Sequence, residues 1–223
     1  MKAMILAAGR GERLRPLTQS TPKPLVEVAG QTLLGRHLER LARAGFTRAV
    51  INVSHLAEKI VARFGDGLPC GPRIDWSRET EPLETAGGIA QARALLGTDP
   101  FLLVNADIWC DYDFSRLRNL ALGTRLSHLV LVPNPPQHPA GDFSLANGIV
   151  GNGPAPRYTY AGIAVLSPQL VAGIAAGRKA QLAPLWRAAA DRGEVAGELY
   201  EGYWSDVGTP ERLSALQTRL KKP

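Results

Sequence analysis

LAAGRGERLRPLTQSTPKPL, residues Leu6 to Leu25, continues the short apolar run that begins at Ala3, so a strand over Ala3 to Ala8 empties into a long loop. Two early glycines, Gly9 and Gly11, let a backbone approach a ligand closely. Arg10, Arg13, Arg15 and Lys23 are suited to phosphate oxygens. Between Met1 and Leu25 five basic residues face one acid, Glu12, a net +4, whereas the whole chain of 223 residues carries +6. The positive charge is therefore gathered in one loop, which suits a compact polyanion such as a nucleoside triphosphate. On composition alone, an ordinary surface loop with solvated arginines is the alternative. A dinucleotide fingerprint is excluded, because Gly9-Arg10-Gly11 runs on into Glu12-Arg13-Leu14 and lacks the third glycine. Pro16, Pro22 and Pro24 oppose a long helix there. No G-x-x-x-x-G-K-[S/T] phosphate loop occurs either.

Outward from this loop, strand-like and helix-like runs alternate. Leu33, Leu34, Leu38 and Leu41 recur at helical spacing, with Gly45 as the stop. Ala49 to Val53 is a second strand. Leu56, Ile60, Val61 and Phe64 mark a second helix, Arg73 to Ser77 a third strand, and about Gly88 to Leu96 another helix. Phe101 to Val104 and Leu129 to Val132 are wholly apolar, as strands buried on both faces are. Tyr158 to Leu166 is again strand-like, and Pro210 opens a last helix. The pattern predicts an α/β fold, a three-layer α/β/α sandwich around a mostly parallel, Rossmann-like sheet. Residues 133–156, rich in Pro, Gly and Asn, predict a hairpin over Phe143 to Val150 turning at Asn147-Gly148. That stretch reads either as an insertion forming one wall of a substrate pocket or as a loop without a chemical role. The whole chain, residues 1–223 with this stretch included, is expected to be a single domain.

An apolar fraction of 45% and a charged fraction of 21% place the chain among soluble globular proteins. Cys70 and Cys110 make neither a zinc site nor a disulfide framework, and a reducing cytoplasm is expected. MKAMILAAG is too short for a membrane span and is not a signal peptide. A pI of 9.6 raises nucleic acid as a partner, but aromatics are only 6% and no basic-aromatic pattern for stacking occurs. Neither nucleic acid nor membrane is an expected partner. Arg219, Lys221 and Lys222 read as a solvated helix end. Nothing in the sequence reads out an oligomeric state.

A triphosphate site also needs negative charge to be managed, and magnesium on one or two carboxylates is the usual means. Asp107 follows the apolar strand in Asn105-Ala106-Asp107, where open α/β sheets place ligands. It could equally be a turn-forming aspartate. Asp206, in Trp204-Ser205-Asp206-Val207-Gly208-Thr209-Pro210, could equally belong to a helix cap.

The string Gly9, Gly11, Arg13, Pro16-Leu17-Thr18, then Pro22-Lys23-Pro24-Leu25, resembles the signature of the sugar-1-phosphate nucleotidylyltransferases. The resemblance implies their glycosyltransferase-A-like sheet. It places Leu6, Ala7, Ala8 and Gly9 against base and ribose. Gly11, Glu12 and Arg13 would lie at the triphosphate, with Lys23 reaching phosphate oxygen. Asn105-Ala106-Asp107 and Asp206-Val207-Gly208-Thr209 are similar to the family's two acidic motifs, so Asp107 and Asp206 would hold one magnesium ion. Arg13, Lys23, Asp107 and Asp206 would be the catalytic set. Glu81-Pro82-Leu83-Glu84-Thr85-Ala86-Gly87-Gly88 resembles the second nucleotide motif, with Glu81, Thr85 and Gly87 at the edge of a pyrimidine. Glu12 stands where threonine is usual and Glu84 where glycine is usual. Both departures resemble the N-acetylmuramate-1-phosphate uridylyltransferase branch of cell-wall recycling, which implies UTP and a sugar 1-phosphate as partners. Candidate sugar contacts are Asn105, Gly141, Asp142, Asn152, Tyr160 and Gly162, of which Asp142 and Tyr160 could instead be structural. The alternatives are another sugar-1-phosphate nucleotidylyltransferase, using glucose, mannose or heptose phosphate, and a catalytically silent nucleotide-sugar sensor.

Overall fold

The computed structural model describes residues 1–154 and 156–221, so Ala155 and the expected helix-end Lys222 lie outside the described residues. In chain order the strands are β1 (Ala3–Leu6), β2 (Glu27–Val28), β3 (Gln31–Thr32), β4 (Arg48–Val53), β5 (Arg73–Arg78), β6 (Phe101–Asn105) and β7 (Ile108–Cys110). They continue with β8 (Ser127–Val132), β9 (Phe143–Ala146), β10 (Ile149–Gly151), β11 (Arg157–Leu166), β12 (Val195–Leu199) and β13 (Trp204–Asp206). The helices are α1 (Leu17–Ser20), α2 (Leu33–Arg43), α3 (Ala57–Phe64), α4 (Glu84–Gln91), α5 (Arg93–Leu96), α6 (Ser115–Arg118), α7 (Ala183–Asp191) and α8 (Pro210–Lys221).

Nine strands form one sheet in the order β5-β4-β1-β6-β11-β8-β12-β10-β9. β5, β4, β1 and β6 pair in parallel, as do β12 and β8, whereas the pairings of β11 and β10 are antiparallel. All strands but β10 and β11 therefore run the same way, as the mostly parallel expectation requires. Alternation along each central strand feeds two separate cores. Ile5, Ile51 and Val104 pack with Leu34, Leu38 and Leu41 of α2 and Phe64 of α3. Met4, Val50 and Leu103 pack on the other face with Ile89 of α4 and Trp186 of α7. Helices thus cover both faces, giving three layers.

Three expectations change. β1 stops at Leu6, two residues before the sequence suggested, because the Ala7 N–H is taken by the Asn52 side chain at 2.8 Å. The helix expected from Gly88 starts at Glu84 and breaks at Ala92, so Gly87 and Gly88 lie inside it and are buried. Residues 133–156 contain the hairpin, but it is the far edge of the main sheet: β10 pairs with β12, and β9 pairs with both β10 and β11. A third, smaller core of Leu14, Val26, Val28, Trp109, Val207 and Leu216 ties the basic loop to the short β7–β13 ribbon and α8.

Candidate active site

The carboxyl ends of the parallel strands open into a cleft of about 770 Å³. Asn52, Leu6 and Asn105 stand side by side at one level of the ladder, across β4, β1 and β6. The chain leaves β1 toward β4 on one side and reaches β6 on the other, and such a switch point leaves a crevice at the strand ends. Leu6 to Arg13 line one wall, and Glu79, Glu81, Pro82, Glu84 and Thr85 line the other, with Lys23, Asn105 and Asp107 between them. Gly11 turns the loop at φ +63°, and a Cβ there would meet Thr18 Cγ2 at 2.9 Å. The Thr18 hydroxyl donates to the Gly11 carbonyl at 2.7 Å and holds that turn. Arg10 and Arg13 are exposed, and among the described residues neither has a carboxylate within ion-pair distance. Both guanidinium groups are therefore free for an anion.

Asp107 follows β6 directly, and its Oδ2 lies 2.5 Å from Lys23 Nζ. β7 and β13 pair antiparallel with Asp206 opposite Ile108, and the Val207 N–H donates to the Asp107 carbonyl at 2.7 Å. This ribbon ties the segment of Asp206 to that of Asp107 from a distant part of the sequence; Asp107 and Gly208 line the cleft, whereas Asp206 lies just outside its lining. Asp206 Oδ2 is 3.1 Å from Arg212 Nη2, and its Oδ1 accepts from Gln137 Nε2 at 3.3 Å. Arg212 is close to Asp206 without hydrogen-bond alignment, so its buried Nε and Nη2 lack hydrogen-bond partners. Gly208 lines the cleft, and a Cβ there would fall 2.0 Å from Arg212 Nη2, so a larger residue would require the Arg212 side chain to move. Asp206 lies in a strand rather than a cap; the backbone of the last helix begins with the Leu213 N–H donating to the Thr209 carbonyl at 3.0 Å.

Each aspartate therefore faces a side-chain cation, with which a metal ion would share or exchange the carboxylate. No group of three or more His, Cys, Asp or Glu side chains gathers among the described residues. A cation held here would take its remaining ligands from water and substrate oxygens, the habit of magnesium at phosphate sites. Two carboxylates fit that donor set.

In the second nucleotide motif Glu81 and Thr85 line the cleft, and Gly87 does not. The Gly87 N–H donates to the Ala180 carbonyl at 3.1 Å, and a Cβ would meet the Arg178 carbonyl oxygen at 2.4 Å. Its glycine is thus required for close helix-to-loop packing, and its N–H is spent within the protein. Glu84 takes the left-handed conformation at φ +62° and sits 3.8 Å from Lys179, which also lines the cleft.

The sugar candidates divide. Gly162 adjoins Asn105: at φ +78° it interrupts the β11 ladder, and a Cβ would fall 3.1 Å from Asn105 Cβ. Asp142 is used internally, accepting the Tyr160 N–H at 2.8 Å and contacting His138 Nε2 at 3.0 Å. Gly141, at φ +60°, leaves no room for a Cβ beside Asn134. Tyr160 packs edge-on against Trp186 with centroids 4.7 Å apart, and burial followed by the Asp142 charge pushes its phenol up. Asn152 is the farthest from expectation. Its Nδ2 donates to the Arg187 carbonyl at 2.9 Å and to Asp191 Oδ1 at 2.7 Å, so it fastens the hairpin to α7.

Sequence reasoning passed over Asn52, Glu79, Gln137, Lys179 and Arg212. Only Asn52 carried a visible signal, a polar residue inside an apolar strand. The others depend on which loops meet at the cleft.

Comparison with known proteins bears on the same region. A family model described as nucleotidyl transferase matches residues 2–147. The N-acetylmuramate alpha-1-phosphate uridylyltransferase of Neisseria meningitidis serogroup B is 49% identical, covering 97% of this chain and 97% of its own. The protein of that name from Caulobacter vibrioides is 36% identical over 98% of this chain and 96% of its own. Among solved structures, a UDP-glucose pyrophosphorylase complexed with UDP-glucose superposes with a TM-score of 0.82 at 16% identity, covering 99% of this chain and 98% of its own, a likeness of fold alone.

Proposed function

This chain belongs to the nucleotidyl transferase family, and from that premise we propose that it transfers UMP from UTP to N-acetyl-α-muramate 1-phosphate, releasing pyrophosphate. The observation that carries the reading is a cleft lined by the unpaired Arg10 and Arg13 and by Asp107, with the β7–β13 ribbon tying the Asp206 segment to that of Asp107. The name borne by the Neisseria and Caulobacter relatives supports the choice of uridylyl group and sugar. The reaction would form UDP-N-acetylmuramate for peptidoglycan recycling, in the cytoplasm where UTP is made.

The sugar phosphate oxygen attacks the α-phosphorus opposite the leaving pyrophosphate. That oxygen is already ionised, so no general base is needed, and catalysis comes from positioning and charge stabilisation. Leu6 to Gly9, Glu81 and Thr85 bind base and ribose. Arg13, free of carboxylate partners, neutralises the outer phosphates. Asp107 and Asp206 would hold a magnesium ion, which when bound would supply charge neutralisation for the phosphates. Lys23, paired with Asp107 here, would exchange that partner for a phosphate oxygen, a move its long stem permits. Asn105 and Gly162 face the sugar, with Gly141, Asp142 and Tyr160 shaping its wall from behind.

The test is pyrophosphate release from a panel of triphosphates and sugar 1-phosphates with magnesium. UTP with the muramate sugar is expected to give the highest kcat/KM. Faster turnover of glucose 1-phosphate would sink the sugar assignment, and no turnover with any pair would favour a silent sensor. Asp107→Asn and Asp206→Asn should each lower kcat by about 100-fold or more while leaving the circular dichroism spectrum intact. A near-normal rate in either would refute its role.

A further inference from the structure

Asn52, the penultimate residue of β4, is only 3% exposed, and the mechanism above gives it no task. Its carboxamide works in both directions. Oδ1 accepts the Ala7 N–H at 2.8 Å, and Nδ2 donates to Glu79 Oε1 at 2.7 Å. Glu79, 6% exposed, accepts the Leu83 N–H on its other oxygen at 2.9 Å. Three hydrogen bonds thus run without a break from the Leu6–Gly9 wall, beneath the cleft, to the Glu81–Thr85 wall. Room for them is made by Gly88, where a Cβ would lie 2.7 Å from both Asn52 Nδ2 and Glu79 Oε1. Both side chains also line the cleft floor.

Two demands meet at position 52. The backbone N–H needs an acceptor and the carboxylate needs a donor, on one short side chain. Asparagine offers both, aspartate only the acceptor, and leucine neither. Buried in low dielectric, the chain is strong when complete, and each unmet member is costly.

We propose that the Asn52–Glu79 pair is a strut that sets the spacing of the two nucleotide-facing walls, making Asn52 a positioning residue for the triphosphate. This rests on reading the cleft as the nucleotide site. The effect should fall on the nucleotide and spare the sugar phosphate, because Gly162 and the β11 segment are held independently of the strut. Burial raises the Glu79 carboxyl against the two N–H groups that favour its charge. The strut can therefore be interrogated with pH.

The experiment compares Asn52→Leu and Asn52→Asp with wild type as full-length enzymes. UTP binding is measured by calorimetry at pH 5.5 and pH 8, with the KM of both substrates and the Tm. Asn52→Leu should weaken UTP about tenfold at both pH values, with the sugar 1-phosphate KM within about twofold of wild type. Asn52→Asp keeps the acceptor for Ala7 but sets a carboxylate against Glu79. It should match the leucine variant at pH 8 and recover toward wild type at pH 5.5, where one shared proton rebuilds the bridge. The charged groups lining the cleft above the strut are Glu81, Glu84 and Lys179 on one wall and Arg10, Glu12, Arg13, Lys23 and Asp107 on the other side. They are unchanged in every variant, so their titration divides out of the ratio to wild type. Unaltered UTP binding in Asn52→Leu, equal losses for both substrates accompanied by a lower Tm, or no acid recovery in Asn52→Asp would each overturn the strut. If wild type instead prefers another triphosphate, the uridylyl reading fails while the same ratios, measured with that nucleotide, still judge the strut.

Discussion

Glu84 shows at the residue scale what one departure from a family pattern costs. Its φ of +62° is the region where a side chain's Cβ crowds the backbone, at about 1–2 kcal/mol. Where glycine is usual, no such strain arises. Glu84→Gly relieves it but frees the unfolded chain, a loss of about 0.4–1 kcal/mol. The variant should therefore melt at or slightly above the wild-type temperature, as calorimetry can check. The Lys179 pair it loses is half-open to solvent and contributes little. A Tm well below wild type would show that the glutamate repays its strain through contacts. Gly11 is the reverse case. Its φ of +63° and the 2.9 Å approach to Thr18 make Gly11→Ala disruptive to the basic loop, and the KM for UTP should rise. Both positions were legible in the sequence as motif members; that one is a strained glutamate could be read only from backbone angles.

At the scale of elements, α2 illustrates local determination. Thr32 caps it, its Oγ1 accepting the Gly35 N–H at 3.1 Å, and the leucines that follow at helical spacing bury its inner face. Thr32→Ala should cost about 1 kcal/mol in urea unfolding; an unchanged midpoint would mean that the packing of Leu34, Leu38 and Leu41 alone holds the start of the helix. α4 obeys different rules. Its glycines look like helix breakers on paper, yet Gly87 and Gly88 are inside the helix because Arg178 on one side and Asn52 with Glu79 on the other leave no room for a Cβ. Propensity placed its start four residues late, and tertiary packing overrode it. The 133–156 hairpin was legible from Asn147-Gly148, but its place at the sheet edge was not, since strand partners are chosen by long-range pairing.

Across the whole molecule, the packing that sorts the cores also buries a histidine, His37, on α2. Burial first, then Arg40 and Arg36, depress its pKa from 6.5 to about 3. Between those values the unfolded chain binds a proton that the folded protein refuses, so stability falls as the pH drops below 6.5, by up to about 1.4 kcal/mol per pH unit. His37→Leu should flatten that slope between pH 6.5 and pH 4.5 in chemical unfolding; an unaltered slope would assign the acid sensitivity elsewhere. What the sequence by itself determined about this protein is whatever depends on neighbours along the chain: the strand-loop character of Leu6 to Leu25, the concentration of positive charge there, the capped and periodic helices, and the α/β alternation that places ligands at strand ends. What only the tertiary structure decided is which distant groups share a volume. The β7–β13 ribbon sets Asp206 beside Asp107, Lys23 crosses to Asp107, and Asn52 reaches Ala7 and Glu79. Hydrogen bonds and ion pairs act over a few ångströms of space whatever the separation in sequence, so these partnerships exist only once the sheet has brought its strand ends together.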